Sequence, residues 1–106
     1  MKPHHFLILL SVSETPSYGT AIQDDVRALS DGHVRLWPAT LYGSLEELVE
    51  QQWLEEVADD ERPDGLSGRE RFYRLTPTGR VALASEAKRM DSLARTARSR
   101  LALGAA

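Results

Sequence analysis

Cysteine is missing from all 106 residues, so neither a disulfide framework nor a thiolate metal site can be built, which suits a reducing cytoplasm. The longest apolar run, Phe6 to Leu10, falls far short of the ~20 residues a membrane span requires, and no small-residue cleavage pattern of a signal peptide follows it. A soluble, cytoplasmic protein without a membrane partner is the expectation. Also lacking are a His-Glu pair at metal-binding spacing, a glycine-rich phosphate loop and a Gly-x-Ser-x-Gly elbow. His4 and His5 are adjacent and would point about 100° apart on a helix, so they do not make a chelating i, i+4 pair and read as solvated. Asp59, Asp60 and Glu61 are neighbours in a loop and read as a solvated charge run. No enzyme, metal or cofactor is expected.

Positive charge is scarce where a nucleic-acid binder would want it. The net charge is -3, and affinity for phosphate comes from lysine and arginine displacing counterions. From Trp37 to Glu70 the cations are Arg62 and Arg69, set against Glu46, Glu47, Glu50, Glu55, Glu56, Asp59, Asp60, Glu61, Asp64 and Glu70. From Arg71 onward the sign reverses: Arg71, Arg74, Arg80, Lys88, Arg89, Arg95, Arg98 and Arg100 face Glu86 and Asp91 alone.

What is present is organised around Leu36-Trp37-Pro38-Ala39-Thr40-Leu41-Tyr42-Gly43-Ser44-Leu45. A proline near the first helical position opens a run with Leu41, Leu45 and Leu48 at i, i+4, i+7, which makes one apolar stripe. Thr40, Gly43, Ser44 and Glu47 are expected opposite that stripe, short or polar, leaving the helix start accessible. Trp37 reads as a packing residue at the helix entry. Tyr42 lies at the edge of the stripe, with its ring packed and its hydroxyl free.

Upstream, Pro3 to Val12 is apolar nearly all round, a pattern shared by a buried helix and a buried strand. Ser13 to Ser17 has the turn chemistry of a loop, and Ser17 is the expected N-cap of a helix from Tyr18 that places Ile22, Val26 and Leu29 on the core and ends at Ser30-Asp31-Gly32. Downstream, Trp53 to Val57 reads as a strand, Ala58 to Glu70 as a polar hairpin tip, and Arg71 to Leu75 as an alternating strand with Tyr73 and Leu75 on one face and Phe72 and Arg74 on the other. Thr76 before Pro77 is an N-cap followed by proline, a strong helix start. Beyond it Leu83, Ala87, Met90, Ala94, Ala97 and Leu101 are spaced 4, 3, 4, 3, 4, an a/d seam. A helix from Pro77 to Leu103 is about 40 Å long, too long for the small domain to cover, and it predicts a homodimer through this seam, assisted by the partner's first helix. Its alternative is a helix folded back on its own domain.

Three blocks in order carry a family resemblance: Ile8-Leu9-Leu10-Ser11 with Pro16-Ser17-Tyr18-Gly19-Thr20-Ala21-Ile22; Pro38 to Leu45 with Leu48 and Gln52-Trp53-Leu54-Glu55; and Arg71-Phe72-Tyr73-Arg74-Leu75-Thr76-Pro77-Thr78-Gly79-Arg80. Together they resemble the PadR-like winged helix-turn-helix transcriptional regulators over roughly Phe6 to Met90. The resemblance implies a mainly α fold with a small antiparallel sheet: a winged helix-turn-helix over residues 1-76 and a long C-terminal dimerisation helix over residues 77-106, packed as one unit. It makes Pro3 to Val12 the first helix and Val34-Arg35-Leu36 the small first strand.

It further implies double-stranded DNA as a partner, read in the major groove by Ala39, Thr40, Gly43 and Ser44, with Tyr18, Tyr42, Arg69 and Arg71 on backbone phosphates. For Tyr18, packing at the corner of the first two helices is an equal alternative. The usual role in the family is a homodimeric repressor on a near-palindromic operator. This chain departs from the pattern at Glu46, Glu47 and Glu50, where many relatives carry cations, so weak nonspecific affinity and a shallow salt dependence are expected, with Arg35 as a further contributor. Two rivals stand beside that reading: a winged-helix protein-interaction module with little DNA affinity, and a ligand-responsive repressor holding a flat aromatic effector at the dimer interface, lined by Phe6, Met90 and Leu93.

Overall fold

The leucine stripe that starts after Pro38 forms the centre of the core. In the computed structural model, which describes residues 1–58, 61–62 and 70–105, the elements run α1 (Pro3–Ser11), β1 (Ser17–Tyr18), α2 (Gly19–Leu29), α3 (Pro38–Glu50), β2 (Leu54–Glu56), β3 (Phe72–Leu75) and α4 (Pro77–Ala105). Leu41, Leu45 and Leu48 of α3 pack against Ile8 and Leu9 of α1, Ile22 and Val26 of α2, and Leu54 and Tyr73 of the sheet. Each such fully buried aliphatic side chain stabilises the fold by about 1.5–3 kcal/mol. The sheet is antiparallel in the order β1-β3-β2.

Several expectations are corrected. The first strand is Ser17–Tyr18, which pairs with Tyr73 and Phe72 of β3, and Val34-Arg35-Leu36 is not a strand. Side chains of the α2 region have taken the backbone groups a ladder would need: the Ser30 hydroxyl accepts the Val34 N–H at 2.9 Å and Gln23 Nε2 donates to the Leu36 carbonyl at 2.8 Å. Because Ser17 is in the sheet it does not cap α2; Tyr18, extended at φ -128°, holds that position without a side-chain cap. His5 is buried rather than solvated, at 3% exposure, because the apolar helix α1 is covered on this side too. In β3, Phe72 is buried along with Tyr73; its face is closed by the Tyr18 ring at 5.2 Å. The polar tip between β2 and β3 lies mostly outside the described residues.

The end of α3 and the start of α4 are stitched together. Gln52 takes φ 65°, which lets its N–H reach the Val49 carbonyl (2.9 Å) and the Trp53 N–H reach that of Leu48 (3.0 Å), a paired C-terminal closure that satisfies carbonyls the helix leaves open. Thr76 Oγ1 accepts the Gly79 N–H at 2.9 Å, the expected cap, and donates to the Gln52 carbonyl at 2.6 Å. Gly79 lies so close to the chain that a Cβ there would sit 2.0 Å from the Trp53 carbonyl oxygen. Leu83 packs on the core, and Arg80 Nη2 donates to the Ser13 carbonyl at 3.1 Å. Beyond the groove where Phe6 and Leu7 meet Glu86, Arg89 and Met90, the helix carries Leu93, Leu101 and Leu103 exposed.

Candidate nucleic-acid interface

Helix α3 begins at Pro38 because proline presets the helical φ and has no N–H to strand. Its N-cap, Trp37, offers no side-chain hydrogen bond, so the first-turn N–H groups of Ala39 and Thr40 lack the usual cap acceptor and favour an anion. Ala39, Thr40, Tyr42 and Gly43 are exposed, and a Cβ at Gly43 would meet nothing within 4 Å. This is an open, small-residue face that can approach a partner closely.

Two residues of that helix are not where the sequence puts them. Ser44 is buried at 4%, since i+3 from Leu41 and i-4 from Leu48 is still the core side of the stripe, and its side chain is not on the open face. Glu47 leans toward α1, with Oε2 at 3.3 Å from both Lys2 Nζ and His5 Nε2. Its charge is met within the chain by the Lys2 ammonium. Trp37, expected to pack, is 64% exposed; in this extended segment Leu36 takes the core side and the next residue points away. The Arg35 guanidinium covers the indole at 5.2 Å, a cation–π contact.

The start of α2 comes up beside α3. Tyr18, Gly19, Thr20, Tyr42, Glu70 and Arg71 line one cleft of about 330 Å³. Three sequence-predicted residues, Tyr18, Tyr42 and Arg71, are therefore brought together. Thr20 and Glu70 were missed; Thr20 carries no signal except its place in the first turn of α2. Gly19 explains how the two helices fit: a Cβ there would lie 2.8 Å from the Tyr42 hydroxyl, so any side chain would displace the phenol. Tyr18 is neither packed at the corner of the first two helices, as one expectation had it, nor wholly free: it is half-buried on Phe72 of β3 and lines the cleft. Arg69 lies outside the described residues.

The cations of this half are mostly paired with the chain's own carboxylates. Arg71 Nε is 3.9 Å from Glu56, Arg74 holds Glu55 and Glu61 at 2.7 and 2.6 Å, and Arg62 approaches Glu70 at 3.6 Å. Those contacts with Glu55 and then Glu61 raise the Arg74 pKa further. Glu46 and Glu50 stay exposed on α3. The field over the face is thus much weaker than a count of arginines suggests. Among the described residues no group of three His, Cys, Asp or Glu could hold a metal ion, and no helix is long and apolar enough to cross a membrane.

Residues 8–85 match the model of the transcriptional regulator PadR-like family. The chain belongs to the PadR-like transcriptional regulators. The family is one of regulators, not of enzymes. A PadR family transcription regulator from hypervirulent Clostridium difficile superposes on this PadR-like chain with a TM-score of 0.76 at 17% identity, covering 94% of this chain and 99% of that one. For a transcriptional regulator from Clostridium thermocellum the score is 0.73 at 21% identity, over 91% and 87% of the two chains. These likenesses establish the fold: mainly helical, with a small antiparallel sheet and a long last helix. In sequence, the chain is 38% identical over 87 residues to an uncharacterized 37.1 kDa protein in a transposon of Streptomyces fradiae, across 82% of this chain and 23% of that protein. The PadR-like chain spans less than a quarter of that relative.

Proposed function

We propose that this PadR-like chain is a cytoplasmic, homodimeric repressor that binds a near-palindromic operator in double-stranded DNA. The observation that carries the reading is the shared cleft at the starts of α2 and α3, where Tyr18, Tyr42 and Arg71 converge beside the open turn of Ala39, Thr40 and Gly43. Two uncapped helix N-termini and two phenols suit backbone phosphates, while the first turn of α3 suits base edges in the major groove. Residues 1-76 form the reading head and residues 77-106 the dimerisation helix, through Ala87, Met90, Ala94, Ala97 and Leu101. Leu83 contributes less to a partner, because it already packs on its own core. A pair of heads joined in this way would meet half-sites about one DNA turn apart.

A flat aromatic effector is a second reading, favoured by an apolar groove of about 240 Å³ between α1 and α4 that includes Phe6, Leu7 and Met90. Fluorescence anisotropy of the full chain with the duplex upstream of its own gene, and with a random duplex, across salt concentrations tests the main reading. Tight binding of a dimer to the upstream duplex is expected, with weak binding to the random one. No binding to either at low salt would leave the protein-interaction module as the better account.

A further inference from the structure

Arg71 stands at the boundary of two clefts. On one side it lines the space shared by Tyr18, Gly19, Thr20 and Tyr42. On the other it lines a second space, about 250 Å³, between α3 and β3, with Leu45, Glu46, Glu50, Glu56 and Tyr73. The strand register explains the second neighbourhood. Glu56 of β2 pairs with Tyr73 of β3, and Arg71, two residues before Tyr73, projects to the same face of the sheet. The guanidinium shares this space with the Tyr73 phenol and lies 3.9 Å from the Glu56 carboxylate. Glu46 and Glu50, one turn apart on α3, add negative potential to the same side.

We infer that Glu56 is a positioning residue that sets the DNA affinity of this face, by drawing Arg71 toward the acidic cleft and competing with phosphate for its guanidinium. The inference rests on the DNA-binding reading and adds to it an affinity control inside the chain. A pair this long and this exposed, with side chains 73% and 53% accessible, is weak, so phosphate displaces it readily; the gain from its removal is bounded at about fivefold. Because phosphate displaces Glu56 in the complex, the number of phosphates neutralised, and with it the slope of log K against log salt, is the same with and without Glu56.

The test is a double-mutant cycle with the full chain and the duplex upstream of its own gene: wild type, Glu56→Gln, Arg71→Gln and the double variant, each titrated across salt. Asp25→Asn, on the exposed side of α2, matches the change in net charge. Glu56→Gln is expected to tighten binding about threefold to fivefold at low salt, with the salt slope unchanged. Asp25→Asn should do less, and Glu56→Gln should gain nothing once Arg71 is glutamine, since the two residues then share no interaction to lose. Equal tightening with and without Arg71, or by Asp25→Asn as much as by Glu56→Gln, would reduce the effect to net charge and overturn the inference. So would an unchanged affinity in Glu56→Gln. Failure of all five proteins to bind any duplex at low salt would instead remove the DNA reading itself, and the inference with it.

Discussion

Helices α3 and α4 both open on a proline, and they solve opposite problems. The thirteen residues of α3 place Leu41, Ser44, Leu45 and Leu48 out of solvent, and everything that holds it is in its own domain. Among the described residues of the 29-residue α4, Gly79 alone is fully buried. Its first turns are anchored by Thr76, Arg80 and Leu83; its far half shows Leu93, Leu101 and Leu103 to water. A helix that long buries its apolar side against something, or it frays. One helix is therefore a finished part of the core, and the other leaves most of its length in solvent.

Mutations separate the two cases. The largest effect belongs to α3: Leu45→Ala should cost about 2–5 kcal/mol in chemical denaturation, because the side chain is fully surrounded and the cavity cannot collapse. Next comes Met90→Arg on the exposed middle of α4. It should turn a dimer into a folded monomer by light scattering; an unchanged dimer would place the partner surface elsewhere. Leu83→Arg is a poorer probe, since Leu83 also supports its own domain.

A smaller effect comes from the contact between α1 and α3. Burial first, then His4, hold the His5 imidazole below its ordinary 6.5, while Glu47 pulls the other way and Lys2 and the chain's amino group add to the lowering. His4 is shifted in the same direction, again chiefly by burial. Lowered values mean that the unfolded chain binds protons more readily. Stability from these groups is fully present above 6.5 and is lost as pH falls through the folded values. Melting temperature should therefore drop on acidification below about pH 6.5, and less so in His5→Gln. The smallest effect is at the tip of α4: in the Met90→Arg monomer, Leu101→Ala should change stability by no more than about 0.5 kcal/mol.

The same contrast separates what the sequence disclosed from what it hid. Period and punctuation were enough for α3, for the Thr76 cap and for both wing strands, because each is decided by local pattern. Ser17–Tyr18 was out of reach, since a two-residue strand exists only through its partners on β3. Val34 to Leu36 looked like a strand until the Ser30 hydroxyl, four residues back, and Gln23, thirteen residues before Leu36, claimed its backbone. Ser44 was misassigned because a small polar residue inside a leucine stripe was read by chemistry instead of angle. Glu47 was read as a charge facing a partner, and its answer from Lys2 spans 45 residues. In the cleft, Tyr18, Tyr42 and Arg71 were singled out from the sequence, whereas Thr20 and the 3.9 Å approach of Arg71 to Glu56 depend on packing.

The most direct test of the central claim is duplex binding by Gly43→Glu. Open space surrounds the missing Cβ, and the helix-propensity gain over glycine roughly offsets the like-charge neighbours Glu46 and Glu47, so this variant should melt near the wild-type temperature. It should nevertheless lose binding to the duplex upstream of its own gene, because a carboxylate would stand in the middle of the open face of α3. Wild-type affinity in a normally folded Gly43→Glu would show that DNA meets some other surface.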